Sequence, residues 1–221
     1  MIADNLHDIQ QEIQESCALV SRDASAVTLV AVTKSVEADQ ARELVELGVT
    51  NVAENRVDKL LAKKAALADH DLTWHLIGNL QRRKVKQIIN EIDYFHALDS
   101  LRLAEEIEKR AARPIKCFIE VNVSGEESKH GITPQALPEL IAALQTLEKI
   151  KIVGLMTMAP LHAAEAEIRD VFHRLKTLQQ TTQKQVATCT ELSMGMSHDF
   201  KLAIEEGATF VRIGTALFKE R

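Results

Sequence analysis

Short apolar runs alternate with helical stretches from one end of this chain to the other, and that rhythm constrains the fold more than any other feature. Eight segments read as strands: residues 27–33, 49–53, 73–77, 94–98, 115–121, 152–158, 191–194 and 210–214. Helical patterns follow the first seven, among them 37–47, 57–68, 101–112, 134–147, 163–183 and 199–206. An additional amphipathic helix over roughly 2–20 comes first, with Ile2, Leu6, Ile9, Ile13 and Cys17 spaced by three and four. Asp99 and Ser100 mark one helix start, Thr133-Pro134 another, and Gly48 and Gly207 stand where left-handed helix stops belong. Strict alternation implies a parallel sheet with helices outside it. Eight strands suit a closed (β/α)8 TIM barrel of the α/β class, and 221 residues make a lean one, since ~250 is typical. The alternative is an open doubly wound sheet, but no Gly-x-Gly-x-x-Gly follows the first strand. With no linker or composition shift, residues 1–221 read as one domain.

A barrel places its chemistry at the carboxyl ends of its strands. Lys34 ends the first apolar run and shares strand parity with Val30 and Val32. A lysine there is costly unless it meets water, an anion or a reacting carbonyl, and desolvation would make it a nucleophile toward an aldehyde. A lysine snorkelling at a strand end is the plainer reading. Downstream, Ser193 to Ser197 and Gly214-Thr215 offer hydroxyls, close backbone approach and a helix start, a combination suited to gripping a phosphate. A lysine amine facing a phosphate cradle is the minimal equipment for holding pyridoxal 5'-phosphate (PLP). Arg212 shares parity with Gly214, and a buried arginine needs an acceptor: a cofactor's pyridine nitrogen, or a carboxylate such as Glu54 or Asp99. Asn55 is placed to bond a ring hydroxyl, and His75 to lie under or beside the ring or simply in the core. Glu54 and Arg56 are expected to pair at the rim, and Met156 and Met158 to pack around the pocket. No metal-binding spacing is present.

Charge and cysteine usage narrow the partners. A net charge of −5 argues against nucleic acid and anionic membranes. The dense basic cluster, Arg82-Arg83-Lys84-Val85-Lys86, reads as the solvated face of a helix or as a local anion or partner patch. Cys17, Cys117 and Cys189 are few, odd in number and widely spaced, which suits reduced, buried thiols in a cytoplasmic protein. The acidic amino terminus is not a signal peptide, and no apolar run reaches the ~18 residues that span a bilayer.

Several segments, in order along nearly the whole chain, resemble the PLP homeostasis protein family, also called the proline-synthase co-transcribed family. They are Val30-Ala-Val-Thr-Lys34, Ala53-Glu-Asn-Arg56, His75-Leu-Ile-Gly-Asn-Leu-Gln81, Val121-Asn-Val-Ser124 with Lys129-His-Gly131, Gly154-Leu-Met-Thr-Met158, Leu192-Ser-Met-Gly-Met-Ser-His-Asp-Phe200 and Val211-Arg-Ile-Gly-Thr-Ala-Leu-Phe218. The resemblance implies a fold-type III PLP-binding barrel like the amino-terminal domain of alanine racemase, with a Schiff base on Lys34. It implies Ser193, Ser197, Gly214 and Thr215 around the phosphate, Arg212 near the pyridine nitrogen, and Asn55 and His75 near the ring. Three positions depart from the family pattern: Ser35 and Val36 stand where many members have lysine and proline, and Lys219 where glycine is usual.

The resemblance implies a non-catalytic protein of PLP homeostasis, with PLP and PLP-dependent apo-enzymes as partners and a monomeric state. An amino-acid racemase is the alternative. Racemisation needs a base on each face of the substrate carbon. In the racemases that the barrel resembles, a tyrosine from an added domain serves the second face. This chain has no residues left for such a domain, and its single tyrosine, Tyr94, begins the fourth strand at the wrong end of the barrel. A Schiff-base aldolase working without PLP is a third reading.

Overall fold

All eight expected strands are present and close on themselves, β1 to β8 in chain order and all parallel. The structure, a computed structural model, describes residues 1–127 and 130–220; Lys129 of the motif above and the terminal Arg221 lie outside the described residues. The strands are β1 Thr28–Val32, β2 Asn51–Glu54, β3 Thr73–Leu76, β4 Tyr94–Leu98, β5 Ile115–Glu120, β6 Ile150–Met156, β7 Glu191–Ser193 and β8 Phe210–Ile213. Between and after them run α2 Ala38–Glu46, α3 Val57–Ala66, α4 Val85–Ile88, α5 Leu101–Arg110, α6 Leu137–Leu144, α7 Glu165–Gln183, α8 Phe200–Glu205 and α9 Thr215–Phe218. The leading helix, α1 Ile2–Leu19, buries the five residues that its spacing singled out. It packs on α8 and α9, and Asn5 Nδ2 donates to the carbonyls of Leu217 (3.1 Å) and Lys219 (2.9 Å).

Local signals set most boundaries. Ser100 caps α5 by accepting from the Leu103 amide, and Thr133 accepts from Ala136 ahead of Pro134. Gly48 and Gly207 have φ of 97° and 107°, the left-handed conformation that ends α2 and α8. Several boundaries shift. β2 runs from Asn51 to Glu54 rather than 49–53, and β6 from Ile150 to Met156 rather than 152–158, Lys151 pointing outward to solvent while its neighbours are buried. The basic cluster is solvent-facing, but most of it lies in a 3-10 turn, Arg82–Lys84, that leads into the single-turn α4.

Rings fill the barrel interior. His75 stacks on Tyr94 (centroids 4.6 Å apart, planes within 6°), His96 stacks on Phe118 (4.5 Å), and Phe210 meets Phe118 edge-on at 5.2 Å. Cys17, Cys117 and Cys189 are buried free thiols. Among the described residues no helix is long and apolar enough to cross a membrane.

The wall leaves no slack at Gly154, where a Cβ would run into the Glu191 carbonyl of the adjoining β7. Backbone there has no flexible tip to swing aside. Gly154→Ala is expected to destabilise the fold by about 1–3 kcal/mol, toward the upper end of that range, read from urea unfolding midpoints.

Candidate functional site

At the carboxyl ends of the strands opens a cavity of ≈ 420 Å³ lined by Lys34, Asn55, Ser197, Arg212, Gly214 and Thr215, together with His198 and three methionines, Met156, Met158 and Met196. That volume suits one small cofactor. β1 ends at Val32, so Lys34 lies in the turn beyond it, closed by the Val36 amide donating to the Thr33 carbonyl at 3.2 Å. Lys34 is exposed where it lines the cavity.

The turn is held from behind by a residue that the sequence reading missed. Lys63, on α3 and only 7% exposed, donates to the Thr33 carbonyl (2.6 Å), the Val36 carbonyl (2.7 Å) and Glu54 Oε1 (2.5 Å). Thr33 Oγ1 adds a bond of 2.8 Å to the same carboxylate oxygen. The expected Glu54–Arg56 pair does not form: Glu54 faces inward to Lys63, and exposed Arg56 pairs with Asp58. Lys63 sits three residues from Leu60 and six from Val57, on their buried face, and that spacing was the available signal.

The opposite rim joins two loops. Ser197 Oγ accepts from the amides of Gly214 (3.3 Å) and Ala216 (3.1 Å), and the Arg212 amide donates to the Gly195 carbonyl at 2.9 Å. The amides at the start of α9 are thus not all bare, as the sequence had suggested; the Ser197 hydroxyl occupies two of them. Having accepted twice, that hydroxyl keeps its own proton to donate. Gly214 also lets the strands close, since a Cβ there would lie 3.1 Å from the Val32 carbonyl.

Arg212 lines the cavity floor at 4% exposure. Its acceptors are Ser193 Oγ (2.6 Å) and the Thr157 carbonyl (3.2 Å), not Glu54 or Asp99. Burial lowers its pKa to about 10, against the opposing charges of Asp199 and Glu120, so it remains a cationic donor at neutral pH. Burial also pushes Glu120 up to about 7, with the Asp99 charge adding and Arg212 opposing.

Two expected site residues lie elsewhere. Ser193 does not line the cavity; it is fully buried between Arg212 and His96, because β7 ends with its side chain pointing into the barrel. His75 does not reach the cavity either, being fully buried between Asn51 and His96. Their place near the carboxyl ends of strands put both close to the mouth but gave no depth. Tyr94 lies beside a separate pocket at the other mouth, with Thr28, Asn51 and Lys116.

Fold and site together define a (β/α)8 barrel that presents a lysine and a hydroxyl-lined rim to one cavity, the architecture of the alanine racemase N-terminal domain, whose family matches residues 2–221. The chain belongs to that family and, within it, to the pyridoxal phosphate homeostasis proteins. The Aquifex aeolicus protein of that name is 41% identical over 222 residues, covering 99% of this chain and 97% of the relative. PipY of Synechococcus elongatus, solved with PLP bound, is 38% identical with a TM-score of 0.83, covering 94% of this chain and all of that one. Alanine racemase of Clostridium difficile, at 16% identity and a TM-score of 0.78, shares the fold over 99% of this chain and 57% of its own.

Two predictions follow from the buried polar groups. Lys63→Met strands the Glu54 carboxylate and should cost about 3–5 kcal/mol in urea unfolding, whereas Lys63→Met combined with Glu54→Leu should recover most of that loss. His75 is depressed to about 3 by burial with the Lys116 charge adding, and His96 is held well below 6.5 by burial with the charges of His75 and Arg212 adding. Below about pH 6.5 the unfolded chain takes up protons that the fold refuses. Stability should be fully present above that pH and fall toward pH 3 by about 1.4 kcal/mol per unit for each histidine. The slope of unfolding free energy between pH 6.5 and 5 should shrink in His96→Gln.

Proposed function

We propose that this protein holds PLP reversibly on Lys34 as a carrier and buffer of the cofactor, without turning over a substrate. The observation that carries this reading is that one cavity is lined at once by an amine, a donor rim and a buried cationic arginine. The donor set fits the group. Lys34 supplies the amine for an aldehyde, and the Ser197 and Thr215 hydroxyls supply the grip on a phosphate, with Gly214 leaving room beside them. Arg212 donates toward a ring nitrogen, and Asn55 toward a ring hydroxyl. When bound, PLP supplies a reactive aldehyde and an electron-accepting ring; a donor-only arginine leaves the ring nitrogen unprotonated and that acceptor weak.

The homeostasis names of the relatives and the PLP-bound PipY agree with this reading. Tyr94, the single tyrosine, lies at the opposite mouth and does not serve as a second base against Lys34. In this reading the protein acts as a single-domain cytoplasmic monomer that delivers PLP to apo-enzymes.

Purified protein incubated with PLP should show a visible band that borohydride abolishes, with the added mass on Lys34 in peptide mass spectrometry. Lys34→Ala should show neither. A wild-type protein that takes up no PLP, or a label elsewhere, would overturn the reading. Lys34-dependent exchange of amino-acid α-protons in heavy water would instead favour a racemase.

A further inference from the structure

Arg212 is the last member of a hydrogen-bonded chain that runs along the inside of the barrel to the opposite mouth. Its NH1 donates to Ser193 Oγ at 2.6 Å. Ser193 Oγ meets His96 Nδ1 at 2.8 Å, His96 Nε2 meets His75 Nδ1 at 2.8 Å, and His75 Nε2 meets Asn51 Oδ1 at 2.8 Å. Ser193, His96 and His75 are each fully buried. The direction of every bond follows from the Asn51 end. Its side-chain oxygen only accepts, so His75 carries its proton on Nε2 and accepts at Nδ1. His96 then carries its proton on Nε2, gives it to His75 Nδ1 and accepts at its own Nδ1 from the Ser193 hydroxyl. The guanidinium only donates, and Ser193 Oγ keeps a lone pair to receive it, so no link has two donors or two acceptors facing each other.

We propose that His96 and His75, with Ser193 and Asn51, are positioning residues for Arg212: they fix its guanidinium so that its remaining N–H groups face the cavity. That those groups meet a cofactor rests on the PLP reading above. The chain does not conduct protons. Its upper end is an arginine that stays protonated at neutral pH, and both rings are neutral in the fold. What it transmits is orientation. Replacing an imidazole by a group that cannot accept from Ser193 frees the hydroxyl to rotate, and the arginine loses a fixed partner. The stacking of His75 on Tyr94 and of His96 on Phe118 keeps both rings in the plane that the bonds require.

Two measurements on the full chain test this. The first needs no cofactor: nitrogen NMR of ¹⁵N-histidine protein should show two non-titrating rings between pH 6 and 8, each protonated at Nε2 with Nδ1 accepting. Assignment by His75→Gln and His96→Gln identifies them. The other tautomer, or titration, at either ring would overturn the proposal. The second compares His96→Leu with His96→Gln, which keeps an acceptor and a donor. His96→Leu should raise the PLP dissociation constant roughly tenfold, the scale of one lost bond to a charged group, and shift the pH dependence of the visible band. His96→Gln should restore much of both. Thermal midpoints monitor folding; if His96→Leu fails to fold, Asn51→Leu at the outer end should produce the same change, smaller. A folded variant with wild-type affinity and an unchanged band would overturn the positioning role. Wild-type protein that binds no PLP would sink the carrier reading alone and leave the NMR result to decide the chain.

Discussion

Everything at the mouth depends on the seam where β8 closes against β1. Thr28 to Ala31 pair in parallel with Phe210 to Ile213, joining the first strand to the last. Just above the seam, Gly214 packs so near the Val32 carbonyl that a side chain would crowd it. Continuing each strand by a few residues brings the Lys34 turn and the Gly214-Thr215 turn to the same cavity. An open sheet with the same strands would leave these segments at its two edges, with no shared pocket. The closure therefore builds the site as well as removing the sheet edges.

The fold was legible because its signal is local. Strand and helix periods repeat within a few residues, and the turn glycines and caps mark where each stops. Tyr94–Leu98 matched to the residue, and α1 to within one. That Lys34, Asn55, Arg212, Gly214 and Thr215 share one cavity was legible for a related reason: strand ends in a barrel converge whatever their sequence separation. Depth and partners were not. His75 looks outwardly like a strand-end site residue, yet its neighbours His96 and Asn51 come from other strands and meet it only inside the closed barrel. Lys63 is hidden in a lysine-rich helix, and nothing local says that its amine reaches back under the turn of Lys34.

A barrel interior is usually filled with branched apolar side chains, and here its middle carries a polar chain instead. Such a chain is tolerable only when complete, because one unpartnered buried group costs about 1–3 kcal/mol. Neutral imidazoles are the cheapest way to build it, since each offers one donor and one acceptor in a rigid ring and needs no counter-ion. Burial is what chiefly holds both histidines neutral, and the nearby charges of Lys116 for His75 and of Arg212 for His96 add to it. The Lys63–Glu54 pair solves a different problem. It is charged and buried, and it ties three separate segments, β2, α3 and the turn of Lys34, at one point.

These two devices act on opposite sides of the cavity and leave it asymmetric. Arg212 is held from within by Ser193 and Thr157, whereas Lys34 stands exposed at the cavity on a turn that Lys63 holds at Thr33 and Val36. A catalyst that moves protons on a substrate carbon needs a dry, closed site with a base on each face. A carrier needs the reverse at the point of attachment: a firm grip on the phosphate and ring, and a covalent link that water or another amine can reach. Alanine racemase shares this barrel at 16% identity, so the barrel itself does not decide between the two. What distinguishes them is how the mouth is finished, and here an exposed lysine shares the cavity with an arginine held from within.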